Sequence, residues 1–137
     1  MAAFVLDASV AIAGLAPDEG NRACEALLDQ AFVRAVAAPA LWYIEVANIS
    51  LVKLRRGLLL PEEHRAILTD MANLRVECDT EFLFRQCEAA SALALHHKLS
   101  AYDAAYLELA LRLKIPLATL DRALARAARE AGAEVLP

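Results

Sequence analysis

Cysteine, glycine and surplus positive charge are all scarce in this sequence of 137 residues. There are three cysteines, Cys24, Cys78 and Cys87, and no two of them form a C-x-x-C pair. An odd number without metal-ligand spacing argues against a disulfide framework and a zinc ribbon, and leaves reduced, buried thiols as the expected state. The four glycines nowhere fall into the pattern G-x-x-x-x-G-K, which excludes a P-loop. No uncharged run exceeds ten residues, Ala35–Ile44 being one of that length, whereas a membrane-spanning helix needs about 20 apolar residues. The N-terminal segment has no basic flank, and Asp7 interrupts its apolar stretch. It lacks the form of a signal peptide, so the expected location is cytoplasmic. The formal net charge is -4, a poor match to a protein that holds nucleic acid through bulk positive charge. That balance does not exclude a nuclease, because acidic metal ligands themselves make a chain negative.

What is present is a folded chain, 59 % hydrophobic and 23 % charged, of a size that suits one domain over 1–137. An apolar strand ends at Leu6. A short helix is expected over Ser9–Gly14, and Asn21 is placed to cap a helix over Arg22–Gln30. Phe32–Ala37 has the character of a second strand. Pro39 suits the first turn of a helix running to Arg56, with Gly57 as its stop. Pro61 opens another helix, with Glu62 and Glu63 in its first turn. Leu74–Cys78 is a third strand, and Thr80 can cap a helix to about Leu95. Ser100-Ala101-Tyr102-Asp103 has the form of a capping box before a helix to Leu113. Pro116–Thr119 is a strand, Asp121 can cap a helix over Arg122–Ala131, and Glu134–Leu136 is a last strand. Strands alternate with helices throughout, the pattern of an α/β fold with a mainly parallel sheet covered on both faces. Ligands in such sheets bind beyond the carboxyl ends of the strands.

Four acids break the apolar patterning. Asp7 is the only charge among the first seventeen residues, and it follows a strand. Asp121 follows another. Glu45 is the only charge between Ala35 and Val52, and at helical spacing it shares a face with Leu41, Ile49 and Val52. Asp103 shares its face with Tyr106, Leu107 and Ala110, whereas Glu108 precedes Arg112 by four residues and makes an ordinary solvent-side pair. Taken singly, Asp7 and Asp121 could be helix caps, and Asp103 the reciprocal member of its capping box. Glu45 has no cap to make. In a parallel sheet all four fall at one edge. Carboxylates held close repel one another, so an empty site retains at least one proton, and a divalent cation relieves the repulsion. All-oxygen ligands suit Mg²⁺ or Mn²⁺ rather than zinc. Such an ion can activate water and stabilise charge on a phosphate, which makes nucleic-acid backbone hydrolysis the natural reaction.

The residues that carry this chemistry resemble the PIN-domain family, and within it the VapC-type toxins of bacterial toxin–antitoxin pairs. The resemblance rests on Val5-Leu6-Asp7-Ala8-Ser9 and on Pro39 through Glu45-Val46-Ala47-Asn48. It rests further on Ser100-Ala101-Tyr102-Asp103 through Ala110, and on Ala118-Thr119-Leu120-Asp121 followed by Ala127-Ala128 and Gly132. It implies a three-layer α/β/α sandwich, an Mg²⁺- or Mn²⁺-dependent endoribonuclease, a homodimer and a cognate antitoxin. By position it implies an acidic quartet of Asp7, Glu45, Asp103 and Asp121. Asp7 and Asp103 would be direct metal ligands, Asp121 a ligand directly or through water, and Glu45 the residue that positions or deprotonates the attacking water. Ser9 and Thr119 would orient the carboxylates. The implied reaction is in-line attack of water on RNA, leaving a 5′-phosphate and a 3′-hydroxyl.

Other signals stay open. Lys53, Arg55 and Arg56 suit the C-terminal dipole of their helix or could hold an RNA backbone. Arg122, Arg126 and Arg129 share one face of the last helix, a solvated face or a phosphate contact. His96 and His97 diverge on a helix and fit a helix end better than catalysis. Trp42 and Tyr43 are expected in the interior, or failing that at a dimer or antitoxin contact. Three other functions compete: a housekeeping RNA-processing nuclease of the same family, a non-catalytic partner-binding module whose acids only cap, and an aspartate-nucleophile phosphatase. The last usually carries a second acid two residues after the first, where this chain has Ser9.

Overall fold

The computed structural model describes residues 1–137. Its elements alternate as the sequence predicts. They are β1 (Val5–Leu6), α1 (Ala8–Leu15), α2 (Arg22–Val33), β2 (Val36–Pro39), α3 (Trp42–Arg55) and α4 (Pro61–Asn73), then β3 (Val76–Asp79), α5 (Leu83–His97), α6 (Ala101–Leu113), β4 (Leu117–Ala118), α7 (Arg122–Glu130) and β5 (Val135–Leu136). All strand pairs are parallel, in the order β3-β2-β1-β4-β5. From β1 the chain steps one way, to β2 and then β3. It then returns to the other side of β1 for β4 and β5. Right-handed crossovers therefore put α1–α4 on one face and α5–α7 on the other, giving the α/β/α sandwich. The reversal lies between β1 and β4, and a crevice opens beyond the carboxyl ends of strands at such a switch point.

Local chemistry accounts for most helix starts. The Asn21 side chain accepts from Cys24 N at 3.1 Å, and Ser100 Oγ accepts from Asp103 N at 3.1 Å. Asp121 Oδ1 accepts from Leu124 N at 2.8 Å, and Glu63 Oε1 from Leu60 N at 2.7 Å, one residue before Pro61. One apolar core joins both faces of the sheet, with Phe4, Leu28, Trp42, Tyr106, Leu107, Leu117 and Leu124 buried in it. Each large side chain of this kind contributes about 1.5–3 kcal/mol on removal from water.

Several boundaries differ from expectation. Phe32 and Val33 continue α2, since nothing before Arg34 stops that helix, and the second strand begins three residues later at Val36. Pro39 ends β2 opposite Asp79 instead of opening α3, which starts at Trp42. Thr80 does not cap α5. Asp79 Oδ1 accepts from Glu81 N, and Phe82, at φ 53°, leads into the helix at Leu83. Gly14 is not a helix stop but lies inside α1 against α2. A Cβ there would lie 2.6 Å from Leu28 Cδ2 and 2.9 Å from Cys24 O, so only glycine permits this approach. All three thiols are free, but only Cys24 is buried; Cys78, in β3, is partly exposed, and Cys87, on α5, is exposed. Trp42 is buried, whereas Tyr43 is partly exposed. No helix is long and apolar enough to cross a membrane.

Candidate metal centre

Asp7 leaves β1 at the switch point and occupies the N-cap position of α1, yet its side chain makes no cap bond. Its carboxylate turns toward β4 instead, where it meets Thr119, and the residue as a whole is 5 % exposed. Ser9 Oγ and Thr119 Oγ1 both donate to the same oxygen, Oδ2, at 2.6 and 2.7 Å. Each hydroxyl also accepts a backbone bond from the β4–α7 connection. Leu120 N donates to Ser9 Oγ at 3.0 Å, and Asp121 N to Thr119 Oγ1 at 3.1 Å. A hydroxyl has one proton to give, so two donations into one carboxylate define Asp7 as an acceptor held from both sides. Asp7 Oδ1 receives no side-chain hydrogen bond.

The other acids show the same division of labour. Asp121 caps α7 with Oδ1, and Oδ2 takes no bond. Glu45, in the first turn of α3, accepts from Tyr106 OH through Oε1 at 2.6 Å, which leaves Oε2 unbonded. Asp103 lies in the first turn of α6. The hydrophobic pattern marks Tyr106 only as an apolar companion of Asp103. It is fully buried, so its hydroxyl needs a partner, and it ties α6 to α3 from the opposite layer across the sheet edge. The signal for this role is the residue type: a tyrosine, not a phenylalanine, three residues after Asp103.

The electrostatics bind the four together. Burial pushes the Asp7 carboxyl up, against the lowering effect of Ser9, Thr119 and the Ala8 amide, and the charge of Asp121 adds to the rise. Burial raises Glu45 as well, opposed by the Tyr106 hydrogen bond and reinforced by Asp7 and Asp103. Asp103 is raised by burial, then by Asp121 and Asp7, with Ser100 opposing. Burial first, and then Glu45, hold the Tyr106 phenol protonated far above its ordinary range. No lysine, arginine or histidine pairs with any of the four acids.

This donor set fits a hard divalent cation. It is all oxygen, carries excess negative charge, and keeps one free oxygen on Asp7, Glu45 and Asp121 while the other is fixed by the protein. No three of the acids stand around one point as a closed cage. Mg²⁺ does not require one, since it keeps several waters and is held through one or two carboxylates. Of the remaining candidate groups, Lys53 pairs with Asp18 and Glu19 at 2.8 and 2.6 Å, away from the acids. His97 Nδ1 lies 3.6 Å from Glu130 at the end of α5, a helix-end role.

The three-layer parallel fold, with unpaired carboxylates at its switch point, can be set beside known proteins. The model of the PIN domain matches residues 4–130, and the chain belongs to the PIN-domain family. Within it the likeness is to the VapC type: the chain is 37 % identical over 126 residues to Ribonuclease VapC3 of Pyrobaculum aerophilum, across 89 % of this chain and 92 % of that protein. The crystal structure of PAE2754 from Pyrobaculum aerophilum shares the fold, with a TM-score of 0.72 and 20 % identity over 98 % of this chain and 90 % of the other.

Proposed function

We propose that this protein is a metal-dependent endoribonuclease and the toxin of a VapBC-type pair, acting on RNA in the cytoplasm. The observation that carries the reading is the set of three carboxyls, Asp7, Glu45 and Asp103, each raised by burial and then by the charge of other acids among the four, with no base to offset them. The relative's printed name, a ribonuclease of VapC type, supports the choice of RNA and of a cognate antitoxin over a housekeeping role. A homodimer belongs to the same reading.

Asp7 and Asp103 would hold Mg²⁺ or Mn²⁺, and Asp121 would hold it directly or through water. The bound ion would lower the pKa of water and neutralise charge on the phosphate. Ser9 and Thr119 fix the Asp7 carboxylate by one oxygen and present the other. Glu45, steadied by Tyr106, accepts a proton from the attacking water at Oε2. The phosphodiester is cleaved to a 5′-phosphate and a 3′-hydroxyl.

The test is cleavage of single-stranded RNA with Mg²⁺ or Mn²⁺, with Asp7→Asn beside the wild type. Cleavage by the wild type alone is expected, and equal cleavage by both, or none, contradicts the reading. Growth arrest on expression, relieved by a neighbouring gene, separates a toxin from a housekeeping nuclease.

A further inference from the structure

A cleft of about 500 Å³ runs beside α7. One wall carries Arg122, Arg126 and Arg129, whose spacing places them on one helix face over about 10 Å. The opposite wall is apolar, with Leu120, Val135 and Pro137. All three arginines are exposed, and none has an ion-pair partner. Glu130, the one acid lining the cleft, lies beside His97. This contrasts with Lys53 and Arg112, whose charges are met by neighbouring acids. In a chain of net charge -4, α7 is thus a local reversal of sign. The cleft also reaches the carboxylate edge. Thr119 lines it, and Thr119 is the residue whose hydroxyl holds Asp7.

We propose that this cleft binds the RNA strand next to the scissile bond. Arg122, Arg126 and Arg129 take its phosphates, and the apolar wall receives ribose and base. The proposal rests on the ribonuclease reading above and assigns the substrate track that reading lacks. Unpaired acids repel a polyanion, so a strand needs attraction from an adjoining surface before it can reach them. Guanidinium forks match phosphate oxygens in geometry as well as charge. A wall without polar side chains suits a nucleotide better than a free anion, and the join at Thr119 favours the substrate over an acidic protein segment.

The experiment measures cleavage and fluorescence anisotropy of a labelled single-stranded RNA over a range of salt, with Mg²⁺ or Mn²⁺ for cleavage. The wild type is compared with Arg122→Ala/Arg126→Ala/Arg129→Ala and with a charge-matched control, Arg22→Ala/Arg34→Ala/Arg65→Ala. Each arginine that meets a phosphate is worth about fivefold in affinity at 0.1 M salt, so the α7 variant, which removes three, should raise KM by about 100-fold. Its log–log salt slope should be shallower by about 2, and the control should match the wild type. Unchanged KM and slope in the α7 variant, while the wild type cleaves and Asp7→Asn does not, overturns the cleft and leaves the nuclease standing. Equal losses in the α7 variant and the control also overturn it, because net charge alone then explains them. A wild type that binds RNA through α7 but cleaves none upholds the cleft and refutes the nuclease. Neither binding nor cleavage refutes both.

Discussion

Two groups of acids share α6 and end in opposite situations. Asp103, in its first turn, joins Asp7, Glu45 and Asp121, all without a basic partner. Glu108, five residues on, meets Arg112 at 2.8 Å, and the same guanidinium reaches Asp79 at the end of β3. Those two carboxylates hold Arg112 above its ordinary range. A third such group, Lys53 between Asp18 and Glu19, ties the segment after α1 to α3. Around Arg112 and Lys53 the fold meets its acids with a base. Where it leaves them unpaired and half-buried, it accepts a desolvation cost that folding does not recover. A bound cation, as proposed above, would recover it.

The contrast can be broken at either group. Asp7→Asn keeps an acceptor for Ser9 and Thr119 but removes the charge. RNA cleavage should fall by about 10³-fold or more, a loss of the size found when an electrostatic contact at the reacting group is removed. The metal-free variant should melt higher than the wild type by about 3 °C, because a disfavoured buried charge is gone. A lower melting temperature would mean that Asp7 is structural.

Tyr106→Phe removes the hydroxyl that steadies Glu45. Cleavage should drop by about tenfold, with a stability cost of about 1 kcal/mol for the missing buried hydrogen bond. Loss of stability with unchanged kcat would make Tyr106 a core residue only. Arg112→Ala should do the reverse of Asp7→Asn, costing about 1 kcal/mol of stability while leaving cleavage within about twofold, since exposed ion pairs contribute little.

The pH dependence of stability carries the smallest effect. Asp7, Glu45 and Asp103 bind their protons more tightly in the folded chain than at their ordinary values of 3.8, 4.5 and 3.8. The stability they contribute is full below those values and is lost as pH rises through the raised ones. From about pH 4 upward, urea unfolding of the metal-free wild type should therefore lose stability relative to Asp7→Asn. Mg²⁺ or Mn²⁺ should flatten the difference near neutrality, where the carboxylates are free to bind it. A constant difference across pH would show that the charges are not strained.

The layer architecture and the oddity of the four acids are legible in the sequence for one reason: both are breaks or regularities in hydrophobic pattern. Glu45 stands out among its apolar neighbours on sequence alone. Pairings between distant segments leave no such trace. Nothing local joins Arg112 to Asp79, or Tyr106 to Glu45, and nothing local says that Thr119 and Ser9 share one oxygen of Asp7. Boundaries are ambiguous where an apolar run serves two elements. Phe32 and Val33 suit helix and strand equally, and Pro39 is tolerated at a strand end as well as in a first helical turn. Gly14 reads as punctuation because the reason for it, the approach of Leu28, lies on another helix.

The central claim is that the unpaired acids exist to hold a divalent cation, and calorimetric titration of the protein with Mn²⁺ at neutral pH tests it most directly. Saturable binding by the wild type that disappears in Asp7→Asn and persists in Arg112→Ala is the predicted result. No binding by the wild type, or equal binding by wild type and Asp7→Asn, would contradict the account.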